Sequence, residues 1–159
     1  MNYSECIENA RTRIGNYCKA CPECNGRACK NQMPGPGAKG IGDTAIRNYD
    51  KWKEIRVQMD TIAENKPVDT SLELFGKKFL YPFFAGPVGA VGLHYGDCLD
   101  DVRYNDILVS ACAKYGIAAF TGDGLDSNVM VAATKAIGKT DGIGIPTVKP
   151  WNIDTVAEK

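Results

Sequence analysis

The sequence predicts an α/β fold in which short parallel strands alternate with crossover helices, and three observations predict it. After about Thr70, apolar runs of strand length alternate with stretches of helical periodicity. The helical stretches close near a glycine, and the apolar runs end in Gly, Pro or Thr. The order strand, helix, strand, helix, strand, helix requires parallel pairing, because parallel neighbours need a crossover between them.

Taken in order, Asn2 to Ile14 reads as a short helix and Asp43 to Met59 as a longer one, with Asp43 or Thr44 as N-cap. Ala45, Tyr49, Trp52 and Arg56 share a face of that second helix, which predicts that Trp52 packs on something larger. "SLELFGKKFLYPFFAGP" reads as two extended runs joined at Phe75-Gly76-Lys77, the second, Phe79 to Ala85, apolar enough to be buried on both sides. "GPVGAVGLHYGD" follows as a loop. Asn105 to Tyr115 then places Ile107, Leu108, Ala111, Cys112 and Tyr115 at helical spacing, closed by Gly116. "IAAFTGDG" is the second buried strand. Val129, Ala132, Ala133, Ala136 and Ile137 mark a further helix with Asp126 or Ser127 as N-cap and Gly138 near its end. "GIGIPTVKPW" is the third strand, and Asn152 opens a helix at "NIDTVAEK".

A closed barrel of this type takes eight strand–helix units and about 250 residues. The 159 residues here hold three units. The expected architecture is therefore the N-terminal part of a (β/α)8 TIM barrel over residues 79–159, preceded by a helix and hairpin over 43–78 and a helical, Cys-rich leader over 1–42. On this reading the chain stops inside the barrel. The alternative is a small open α/β domain whose sheet other surfaces cover.

Composition narrows the partners. Nineteen Lys and Arg balance nineteen Asp and Glu without a basic cluster, which argues against nucleic acid and anionic membranes and for a small-molecule partner. No signal-peptide core and no apolar run near ~18 residues is present, so the expected location is the cytoplasm. There, an odd count of seven cysteines reads as thiols or metal ligands and not as a disulfide framework.

Cys18, Cys21, Cys24 and Cys29 give the spacing C-x2-C-x2-C-x4-C, close to a ferredoxin run and to compact zinc knuckles. The readings are zinc, an iron–sulfur cluster, or a reduced turn without metal. "GPGAKG" at 35–40 matches G-x-G-x-x-G, but no strand precedes it, and "GKT" at 138–140 ends a helix where a P-loop would open one; both are chance matches. His94 is the single histidine and reads as a solvated loop residue. The strand ends "AGPVGA", "FTGDG" and "PTVKPW" carry more. Their bare Gly and Pro backbone can approach a flat heterocycle where barrels bind ligands, with Thr121 adding a hydroxyl and Lys149 a cation.

These features together resemble the FMN-dependent α-hydroxy acid oxidase and dehydrogenase family, the group of glycolate and lactate oxidases. "NYDKWKEIRVQM" is similar to its segment before the barrel, and "VDTSLELFGKKFLYPFFAGPVGA" to its hairpin and first barrel strand; the likeness runs from about Gly37 to Lys159 and covers only the family's N-terminal part. The resemblance implies FMN as cofactor, with Pro87, Val88 and Gly89 bordering the flavin, Thr121 or Gly122 near the second strand's end, and Lys149 on the third. It implies oxidation of a small 2-hydroxy acid to a 2-oxo acid, catalytic histidine and arginine beyond Lys159, and a homo-oligomer at full length. By the same resemblance, this chain alone neither turns over substrate nor holds FMN tightly. Two departures bear on substrate: Met33 or Pro34 stands where the family has a tyrosine, and Gly144-Ile145-Pro146 where its third strand has Gln-x-Tyr. Other readings are a different FMN barrel, such as type 2 isopentenyl-diphosphate isomerase, and a non-catalytic cysteine metal module.

Overall fold

The computed structural model describes residues 1–15, 17–29, 43–141 and 143–159, so the G-x-G-x-x-G match and Met33 and Pro34 lie outside the described residues. The chain forms two compact units, Met1–Lys66 with Gly92–Cys98, and Pro67–Val91 with Leu99–Lys159.

In the first unit, α1 spans Tyr3–Arg11 and is opened by a reciprocal capping box between Asn2 and Glu5. It is shorter than the periodicity suggests, ending at Thr12. The cysteine segment is tied down at two points: the Tyr3 hydroxyl donates to the Pro22 carbonyl, and Arg27 pairs with Asp50 at 3.2 Å. Asp50 belongs to α2, Thr44–Trp52, which stops seven residues before the expected Met59. Trp52 is 74% exposed, against the expectation that it packs on a larger body, and Ile55, Val57 and Met59 are exposed as well. With no buried face beyond Trp52, nothing tertiary extends the helix, and propensity alone is too weak to do so.

The second unit begins with a hairpin, but its second strand is Lys77–Phe79 and not the expected run Phe79 to Ala85, of which Leu80, Tyr81 and Phe83 are 53%, 42% and 59% exposed. β1, Leu72–Leu74, pairs antiparallel with β2, Lys77–Phe79, across a turn at Phe75 and Gly76. Both turn residues have positive φ, 54° and 68°, the geometry that matches strand twist in a two-residue hairpin. The three apolar runs meet as parallel neighbours in chain order, through the bridges Ala85↔Ala119 and Phe120↔Ile145. Slanted bonds connect them: Phe120 N to Ala85 O at 2.8 Å, Ile145 N to Ala119 O at 2.8 Å and Thr121 N to Ile145 O at 3.0 Å. Regular ladders do not extend from these bridges, contrary to the expectation of full strands. Pro82, Pro87 and Pro146 lack the N–H a ladder uses, and glycines crowd each run's end. The layer is open and not closed into a barrel.

The helices follow local chemistry. α3, Val91–Tyr95, is a short helix inside the stretch expected to be loop. α4, Asp101–Lys114, starts four residues before the expected Asn105, because the Asp100 side chain accepts from Arg103 N and caps it. α5, Ser127–Gly138, is capped by Asp126, and α6, Ile153–Glu158, by Asn152, both as expected. On α4 the buried stripe is Asn105, Val109 and Cys112, while Ile107 and Tyr115 of the expected stripe are 48% and 64% exposed. α4 and α5 pack on each other, and their Val109, Cys112 and Ala136 close over Ala119 with Ala85 and Ile137 alongside. Both crossover helices therefore share one face of the strand layer.

Candidate functional site

Because side chains alternate across a strand, the residues next to Ala85 and Ala119 point away from the helices. Phe84 and Phe120 do so, with ring centroids 6.4 Å apart, and they line an open pocket of about 590 Å³ together with Gly86, Pro87, Pro146, Thr147 and Val148. The pocket lies at the C-terminal ends of the parallel runs. A Cβ placed on Gly86 would meet nothing within 4 Å, so bare backbone faces open space there. The Thr147 hydroxyl beside it is buried without a hydrogen-bond partner.

The turns beneath the pocket are interlocked. A Cβ on Gly122 would fall 1.9 Å from the Val88 carbonyl oxygen, and one on Gly89 would fall 2.7 Å from that of Asp123. These two glycines let backbone pack on backbone, so their bareness serves the contact between turns and not a ligand. Gly122 N donates to Asn105 Oδ1 at 3.0 Å, which holds the second turn from the helix side. Asn105 is wholly buried, and its Nδ2 has no partner.

Asp123 forms the electrostatic centre. Its carboxylate is fully buried and pairs with the equally buried Lys159 ammonium at 2.7 Å. It also accepts from Lys149 N at 2.8 Å and Trp151 Nε1 at 2.7 Å. Burial pushes this carboxyl up, but the bonds from Lys159, Lys149 and Trp151 outweigh it and hold the group below the usual carboxylate range. The Lys149 and Lys159 ammonium groups lie 5.7 and 5.8 Å from the Trp151 ring centre.

Of the residues singled out in the sequence, Pro87 and Lys149 are exposed, Val88 and Gly89 are half-buried, and Thr121 and Gly122 are buried. Thr121 turns its hydroxyl to Thr147 N at 3.4 Å. Sequence reasoning missed Asn105, Asp123, Trp151 and Lys159. A signal existed for Asn105, a polar residue three and four positions before Leu108 and Val109 and hence on their side of the helix.

The expected metal centre is not assembled. Cys18, Cys21 and Cys29 are half-buried and Cys24 exposed, all four free. Burial first, then Cys24 and, beyond it, Cys18 and Cys21 push the Cys29 thiol up, against a backbone hydrogen bond that lowers it. Yet among the described residues no three His, Cys, Asp or Glu groups stand so as to hold one ion, and the zinc or iron–sulfur expectation finds no ligand set. His94 sits in α3, half-buried and edge-on to Tyr95 at 5.9 Å, and not in a solvated loop. No described helix is long and apolar enough to cross a membrane.

The fold and pocket define a class, a parallel strand–helix layer with its ligand face at the strand ends. Residues 35–141 match the family model described as FMN-dependent dehydrogenase, and the chain belongs to that family. No curated protein and no solved structure matches it. Membership implies FMN. The pocket fits the flat part of that cofactor: Phe84 and Phe120 supply apolar walls and Gly86 a bare approach. When bound, FMN accepts two electrons and a proton in an oxidation.

Proposed function

We propose that this chain is the N-terminal part of a (β/α)8 barrel that oxidises a small 2-hydroxy acid to a 2-oxo acid with FMN. The supporting observation is the winding of the layer: three parallel runs in chain order, both crossover helices on one face, and an aromatic-lined pocket on the other. Doubly wound sheets reverse strand order and place helices on both faces. A singly wound layer leaves its inner face for a barrel interior, and ligands sit at the strands' C-terminal ends. Exposed Pro87 and Lys149 border the cofactor directly, whereas Val88, Gly89, Thr121 and Gly122 shape the turns behind it. Proton abstraction and carboxylate recognition fall to later strand–helix units.

The reading is tested on the purified flavoprotein under anaerobic conditions. Bleaching of the yellow colour by lactate or glycolate is the expected result, and a flavin that neither acid reduces overturns the substrate assignment. Coding sequence past Lys159 tests the barrel: four or five further strand–helix units are expected, and an immediate stop codon removes closure within one chain.

A further inference from the structure

We propose that Asp123 is a positioning residue for the cofactor pocket, locking residues 147–151 onto the turn at 121–124 without touching the ligand. The inference rests on the FMN reading above and adds a residue to it. Beyond the Ile145 bridge the third run has few ties of its own. Pro146 has no N–H, and Thr147 N reaches Thr121 only at 3.4 Å. The first short bond after it is Lys149 N to Asp123 Oδ2 at 2.8 Å, joined at the same oxygen by Trp151 Nε1 at 2.7 Å. Thr147 and Val148, which line the pocket, therefore hang between the bridge and this anchor.

The carboxylate itself is unavailable to a ligand. Its side chain is fully buried, Oδ2 takes two donors, and Oδ1 takes the Lys159 ammonium, which also donates to the Gly124 carbonyl at 2.8 Å. A buried ion pair is seldom more stabilising than apolar side chains of the same volume. What an apolar pair cannot do is draw donors from positions 149, 151 and 159 to one point, and that is the geometric contribution of Asp123.

Two double variants of equal charge separate positioning from stability and from charge. Asp123→Asn with Lys159→Gln keeps an oxygen at the Oδ2 place for both turn bonds and replaces the ion pair by an amide pair. Asp123→Leu with Lys159→Met removes the bonds and fills the volume. On the full-length flavoprotein, FMN dissociation constants are read from quenching of flavin fluorescence, beside far-UV circular dichroism and thermal melts. The amide pair is expected to bind FMN within about twofold of wild type, and the apolar pair, still folded, about tenfold more weakly. Trp151→Phe, which deletes one turn bond and keeps a ring, is expected to weaken binding about threefold and serves if the apolar pair does not fold. Equal binding by the apolar and amide pairs, or an unchanged constant in Trp151→Phe, overturns the proposal while wild-type binding leaves the FMN reading intact. Absence of FMN binding by the full-length wild-type protein overturns both.

Discussion

The two faces of the strand layer in the second unit are built on opposite principles. On the helix side the strands present Ala85 and Ala119, and Val109, Cys112 and Ala136 close down on Ala119, with Ala85 partly buried beside them. On the other side stand Phe84 and Phe120, around about 590 Å³ of open space. Small residues let helices approach, and large flat ones form walls, with Phe84 braced edge-on by Phe79 of β2 at 5.1 Å. The covered face carries the packing energy of the unit, and the open face holds the pocket.

The sharpest way to break this contrast is at the interlock beneath the pocket. Gly122→Ala drives a methyl group to 1.9 Å from the Val88 carbonyl oxygen, backbone that has nowhere to go. A loss on the order of 4 kcal/mol is expected by denaturant titration, and a variant as stable as wild type would show that the two turns are not interlocked. Next, one enlargement on each face compares them directly. Ala136→Leu overpacks a fully buried position and is expected to cost about 2 kcal/mol, whereas Gly86→Ala enters empty space and is expected to stay within about 0.5 kcal/mol. Equal costs would erase the distinction.

Acid titration sharpens the picture at the boundary between the turns. The folded Asp123 carboxyl titrates below its unfolded value of about 3.9, so its stabilisation is complete above that value and is lost as pH falls through the folded pKa. Thermal melts of wild type should therefore drop more steeply below about pH 4 than those of the amide-pair double variant described above, which has no carboxyl there to protonate. A modest effect is expected at the N-cap of α4, away from the pocket. Asp100→Ala removes the cap of α4 and should cost about 1 kcal/mol with no change in FMN affinity.

What was legible in the sequence was local. Asp126 and Asn152 cap helices because their side chains reach N–H groups two or three residues on, and Gly116 adopts φ 68° just after α4. The hairpin at Phe75-Gly76 is equally local. The buried stripe of α4 was not, because Ile107 and Val109 are alike in hydropathy and only the position of the strands decides which turns inward. Trp52 misled for the same reason: helical spacing defines a face but supplies nothing to cover it. At the site, the glycine-rich strand ends Gly86, Pro87 and Pro146 border the pocket lined by Phe84 and Phe120, while Asp123 gave no signal of its own. Its partners come from 26 to 36 residues downstream, a separation that no window of periodicity spans.

Trp151 gives the pocket a built-in optical ruler. The chain has two tryptophans, Trp52 and Trp151, so replacing Trp52 by Phe leaves one tryptophan, its indole N–H fixed on Asp123. A tryptophan emits where an oxidised flavin absorbs. The distance from the anchored indole to any bound yellow chromophore can thus be read from the energy that passes between them, without attaching a dye.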